Sequence, residues 1–106
     1  MEDRLVVLVT VPSQAVGKDL ARMLLRGKLV ACVNIIPSIV SLYTWEGELC
    51  IDDEALLVIK TTGAALQELV SAVSEDHPYD VPEIIAVPIT AGSTEYLNWI
   101  GEMVKS

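Results

Sequence analysis

The densest run of side chains able to do chemistry is Glu75-Asp76-His77-Pro78-Tyr79-Asp80-Val81-Pro82-Glu83, which carries the only histidine of the chain. An imidazole beside carboxylates suits copper, zinc or nickel, so His77 with Asp76, Asp80 or Glu83 is a candidate divalent-metal set. One histidine cannot build a nitrogen-rich site alone. A histidine that closes a helix also suits the C-terminal dipole, so a purely structural role stands beside the metal role. Cys32 and Cys50 form no CxxC pair and lack the spacing of a structural zinc site. Both are expected to be free thiols that pack as small apolar groups, although a site shared between subunits could bring Cys32 near His77. Tyr43 and Trp45 fall two residues apart on one face of a strand, together with Ser41. They could line a ligand cleft or pack against a neighbouring subunit. Lys60 follows an apolar strand and could hold an anion or an acid such as Glu83, or be solvated.

No serine or cysteine sits beside a base oriented by an acid, and the glycines are scattered singly with no phosphate-binding loop. The chain is not expected to be an enzyme, and no cofactor is required by its motifs. Net charge is −8, with 15 acidic against 7 basic residues. Nucleic acid is therefore an unfavourable partner, and an anionic membrane surface would repel the chain. No apolar run reaches the roughly 18 residues that cross a bilayer, so membrane insertion is not expected. Acids at the N-terminus stand where a secretory leader carries positive charge, which points to a cytoplasmic protein.

These residues must be positioned by a small number of elements, because 106 residues make one domain, taken here as 1–106. Leu5 to Val11 reads as a buried strand that stops at Pro12-Ser13. Ser13 opens a helix with Val16, Leu20, Met23 and Leu24 on one face, and Gly27 is placed to end it. Leu29 to Leu49 is a long β segment interrupted at Pro37, with a turn at Glu46-Gly47. Glu48 to Thr61 returns, and Ala55 to Ile59 is apolar on both faces, as in a central strand. Thr62 is expected to cap a second helix with Leu66, Leu69, Val70 and Val73 buried, ending at His77-Pro78. Ile84 to Thr90 reads as an edge strand because of its prolines. Ser93 or Thr94 caps a last helix with Tyr96, Leu97, Ile100 and Val104 on one face.

The order β-α-β-β-α-β plus a terminal helix predicts an α+β, ferredoxin-like sandwich with an extended β2–β3 hairpin. Apolar residues make up 52% of the chain, which is high for so small a domain. A long apolar edge strand needs cover, and symmetric self-association supplies it.

Four motifs occur in order: Ala31-Cys32-Val33-Asn34, Tyr43-x-Trp45-x-Gly47, Ile59-Lys60-Thr61, and His77-Pro78-Tyr79 followed by Pro82-Glu83. On these the chain resembles the CutA family of divalent-cation tolerance proteins, from about Leu5 to Trp99. The resemblance implies a homotrimer, a role in tolerance of copper and other divalent ions, and an architecture similar to the PII signalling trimers. That similarity in turn suggests sensing of a small ligand, or an adaptor or anchoring scaffold. Carried over by motif, Cys32, His77 and Glu83 are the metal candidates, and Tyr43, Trp45, Lys60 and Tyr79 would line a cleft between subunits. Some members carry extra Cys or His where this chain has Val9, Ala72 and Asp76, which implies weaker metal affinity here.

Overall fold

The computed structural model describes residues 3–105. Four strands and three helices follow the expected order: β1 (Arg4–Val11), α1 (Gln14–Arg26), β2 (Cys32–Trp45), β3 (Glu48–Thr62), α2 (Leu66–Asp76), β4 (Ile84–Pro88) and α3 (Thr94–Met103). The sheet is antiparallel with order β2-β3-β1-β4. This is the ferredoxin-like α+β arrangement, with the two continuous apolar strands central and the proline-bearing strand at an edge.

Alternation along the strands divides the sheet into two unlike faces. Val7, Val9 and Val11 of β1 and Ala55, Leu57 and Ile59 of β3 point to one side, where Leu20 and Leu24 of α1 and Leu69 and Val73 of α2 close the core. Helix α1 lies close to the sheet at Gly17, where a Cβ would come 3.0 Å from Leu57 Cδ2. The other side carries Val6, Leu8, Leu56 and Val58, half-buried, and Ile85 and Val87, exposed. Helix α3 builds a separate small cluster from Ile100 and Val104 with Ala31 and Ala65.

Local signals act largely as read. The Val16 N–H donates to Ser13 Oγ at 3.2 Å, and the Tyr96 N–H to Ser93 Oγ at 3.4 Å, so both serines cap their helices. Glu46 and Gly47 both take positive φ, 50° and 81°, as a two-residue hairpin turn demands. The strand pairing shifts register between Ile36 and Ile39, where Pro37 interrupts it. Cys32 and Cys50 are free thiols.

Helix α1 ends where expected, with Gly27 as its C-cap; Gly27 stays right-handed and Lys28 takes the left-handed turn with φ 55°. Thr62 caps nothing through its side chain; a short 3₁₀ turn over Gly63–Ala65 leads into α2 instead. On α3 Tyr96 is exposed, while Ile100 and Val104 are buried and Leu97 packs against them. No helix among the described residues is long and apolar enough to cross a membrane.

Leu57 is fully buried between α1 and the sheet, so Leu57→Ala should lower the unfolding free energy by about 2–5 kcal/mol. Denaturant titration checks this, and a loss well under that range would mean that the neighbouring side chains collapse into the space.

Candidate functional site

β1 ends at Val11, paired with Ala55, and beyond this point β2 and β3 continue alone to their turn. Residues in this ribbon alternate between its two faces. One face bears Ser41, Tyr43 and Trp45 with their cross-strand partners Asp52, Cys50 and Glu48, and Glu54 lies at its base opposite Ile39. The segment after α2 runs alongside and presents Tyr79, Asp80, Val81 and Glu83. Between the two lies a cleft of about 730 Å³ with Thr10 also in its lining.

Two tyrosines are tied to carboxylates there. The Tyr79 hydroxyl donates to Glu54 Oε2 at 2.8 Å, joining the two walls, and the Tyr43 hydroxyl donates to Asp52 Oδ2 within the ribbon. His77 stands behind this arrangement, buried at the end of α2. Its Nδ1 accepts from the Tyr79 N–H at 3.1 Å, and its Nε2 lies 2.8 Å from the Thr10 carbonyl oxygen. An accepting Nδ1 leaves the proton on Nε2, which donates to Thr10. The ring also packs against Tyr79, with centroids 4.8 Å apart. His77 thus fixes the segment that delivers Tyr79 to Glu54.

The cleft is negative. Glu54, Asp80 and Glu83 line it, and of the described residues around it none is Lys, Arg or His. The ion pairs Arg22–Asp19 and Lys105–Glu68 lie elsewhere. The tyrosines register this field. Tyr43 is pushed up to about 12, first by its hydrogen bond to Asp52. Tyr79 is pushed up to about 12 by burial, then by the bond to Glu54.

Of the residues singled out in the sequence, Tyr43, Trp45, Tyr79 and Glu83 meet at this cleft, and His77 lies beneath it. Lys60 does not join them within the subunit. It pairs with Cys32 across β2–β3 and with Val6 across β1, and its ammonium donates to Asn34 Oδ1. It therefore sits toward the other end of the sheet, and it is Asn34, not Glu83, that it holds. Cys32 belongs to this second group: its thiol contacts Asn34 Oδ1 at 3.9 Å. Burial raises the Tyr96 hydroxyl there, with Cys32 adding to the effect. His77, Glu83 and Cys32 are not gathered in one subunit, and among the described residues no three His, Cys, Asp or Glu side chains cluster to hold a metal. Thr10, Asp52 and Glu54 join the site without having stood out in the sequence. Counting by twos from the Glu46-Gly47 turn places both acids on the Tyr43 face, a signal available in the sequence.

A four-stranded antiparallel sheet with two helices on one face and a long free hairpin defines a ferredoxin-like α+β protein. Residues 5–103 match the family model of the CutA1 divalent ion tolerance protein, and the chain belongs to that family. It is 52% identical over 102 residues to the chloroplastic protein CutA of Arabidopsis thaliana, covering 96% of this chain and 56% of that longer relative. The solved structure of the divalent cation tolerance protein from Thermus thermophilus superposes with a TM-score of 0.94 at 47% identity, covering 96% of this chain and 99% of that one. A CutA structure from Archaeoglobus fulgidus, described as a periplasmic divalent cation tolerance protein, superposes at 0.93 with 36% identity, covering 96% and 99%.

The expectation of a cytoplasmic protein is overturned by these relatives, one named chloroplastic and one periplasmic. The folded domain is common to different compartments, so its composition and acidic start do not report location.

The two raised tyrosines make a test. Each holds its proton more tightly folded than unfolded, so the stability they contribute is fully present below the ordinary value of 10.0 and is lost as pH rises through about 12. Near-ultraviolet absorbance should show most tyrosine still protonated in the folded protein at pH 10.0, and Glu54→Gln should bring Tyr79 down. Complete ionisation near the ordinary value with the fold intact would refute the two carboxylate bonds.

Proposed function

We propose that the chain works as a homotrimer that binds divalent cations, copper among them, and so serves in tolerance of these ions. Self-assembly is supported by exposed apolar residues on the hairpin, Val40 (62% exposed), Leu42 (63%), Leu49 (70%) and Ile51 (61%), of which Val40 and Leu42 also border the cleft. The uncovered sheet face, which continues the Tyr43 side of the ribbon, carries Leu56, Val58, Ile85 and Val87. An isolated ribbon with such residues is a template for association. A second copy is the economical cover, because a symmetric assembly buries the same surface on every subunit.

The observation that carries cation binding is the cleft itself, where three carboxylates meet no basic side chain among the described residues. Membership of a divalent ion tolerance family directs this reading toward metals. A complete metal site then requires acids, or Cys32, brought from a neighbouring subunit to Glu83. His77 contributes a ligand only by giving up the Thr10 or Tyr79 bond, since both of its ring nitrogens are engaged. Copper, which favours imidazole, is the ion best able to drive that exchange.

A second reading has its own support. The aromatic lining of the cleft, Tyr43, Trp45 and Tyr79, fits a small-molecule sensor better than a bare ion site. A protein partner held by the same cleft, in an adaptor role, would use the same aromatics.

Light scattering and calorimetry on metal-free protein test the leading reading together. The mass should be that of three chains, and Leu42→Asp with Ile51→Asp should reduce it to one. Copper should bind at about micromolar affinity or tighter, weaken in Glu83→Gln and His77→Ala, and leave the mass unchanged. A monomeric wild type ends the trimer; silence toward copper and zinc ends the metal reading alone.

A further inference from the structure

We propose that the cleft between the β2–β3 ribbon and the segment after α2 takes an organic ammonium ion, a cation with alkyl groups on nitrogen. This rests on the ligand-binding reading of the cleft and adds its chemical class. Three features of the site converge on it.

The first is charge. Glu54, Asp80 and Glu83 line the cleft with no Lys, Arg or His beside them among its described residues. Glu54 is half-buried and Asp80 and Glu83 are exposed, so the cleft carries a negative potential that favours a cation over a neutral or anionic occupant.

The second is the lining. Tyr43, Trp45 and Tyr79 line the cleft, and the negative quadrupole of an aromatic face attracts a cation without replacing a hydration shell. Both tyrosine hydroxyls already donate, to Asp52 and to Glu54. That pairing leaves the rings as the tyrosines' remaining contact surface and holds them by their far ends. A small hydrated dication gains little from aromatic faces and wants several oxygens at fixed distances. A large ion that sheds water readily gains from both faces and carboxylates.

The third is size and support. A volume of about 730 Å³ exceeds what a bare ion needs and falls in the range of small-molecule sites. Tyr79 is set in place by His77, which receives its N–H while donating to Thr10, and by Glu54, which receives its hydroxyl. The wall is therefore fixed before any ligand arrives, which lowers the ordering cost of binding.

Tetramethylammonium and its uncharged counterpart tert-butanol provide the probe pair. The assembled protein carries Trp99→Phe, so that Trp45 alone reports, and is titrated at constant ionic strength made up with sodium chloride. Tetramethylammonium should shift Trp45 fluorescence saturably, at about millimolar concentration or below, while tert-butanol should not. Glu83→Gln should weaken the response by about fivefold to tenfold, and Tyr79→Leu by a similar factor. Calorimetry with the same pair on the unsubstituted protein guards against a fluorescence artefact. Equal response to tert-butanol would overturn the cation claim while keeping the cleft as an apolar ligand site. No saturable response to either probe would overturn this proposal and the ligand-binding reading with it, without touching the copper result.

Discussion

Everything particular to this molecule follows from strand β3 outrunning its neighbour. β1 stops at Val11 beside Ala55, but β2 and β3 remain paired out to Trp45 and Glu48. The result is a body with a projecting two-stranded ribbon, 44 Å along its long axis against 26 and 22 Å across. Two strands in water are marginal on their own. This ribbon nevertheless carries Val40, Leu42, Leu49 and Ile51 on one face, more than half exposed in a single subunit. Apolar residues at such positions stabilise the fold only when something covers them. The same projection gives the cleft its outer wall, so the exposed apolar stripe and the cleft share one origin.

The inner wall depends on a histidine used for its two unlike nitrogens. Nε2 reaches the backbone near the end of β1, at Thr10, and Nδ1 receives the Tyr79 N–H. A chain of contacts thus runs from Thr10 through His77 and Tyr79 to Glu54, joining the end of the sheet to the base of the ribbon. Each such bond contributes about 1 kcal/mol, and the geometry matters more than the sum. Helix α2 must stop at His77 because Pro78 cannot continue it, and stopping there aims the imidazole at β1. A histidine that reads as a metal ligand in the sequence is, in the single subunit, the support of a tyrosine.

How much of this was legible beforehand depends on which residues carry the information. Strand identity and order could be read because Val7, Val9 and Val11, and Ala55, Leu57 and Ile59, repeat with the period of a strand, and the prolines at 82 and 88 mark an edge. The serine caps and the Glu46-Gly47 turn were legible because each is a local rule satisfied by a side chain or a positive φ. Thr62 was misleading since a 3₁₀ turn absorbed the helix entry before any cap was needed. Lys60 was misleading for a different reason: its place on β3 could be read, but the register that sets it beside Cys32 and away from Glu83 is a long-range property. The Tyr79–Glu54 bond spans 25 residues and two elements, and no local pattern announces it.

The two cation readings share Glu83 but draw on different properties of the acids. A net charge of −8 attracts any cation to the vicinity, but what stays is decided by the inner contacts. A dication needs several oxygen, nitrogen or sulfur atoms converging at short range, and the described residues of one subunit offer no such cluster. The proposed metal site therefore requires ligands from a neighbouring copy. Inside the cleft, Glu54 already receives a tyrosine hydroxyl, and Tyr43, Trp45 and Tyr79 share the lining with Val40, Leu42 and Val81. That combination rewards an ion that sheds its water at little cost and spreads its charge over carbon. Metal at the junctions and an organic cation in the cleft would then be coupled through Glu83, which is exposed to solvent, lines the cleft and stands at the start of the edge strand β4. An ion held there by a neighbour's ligands removes one of the charges that an ammonium group would use, so occupancy by metal lowers affinity for the organic ion, and by linkage the reverse holds with the same factor.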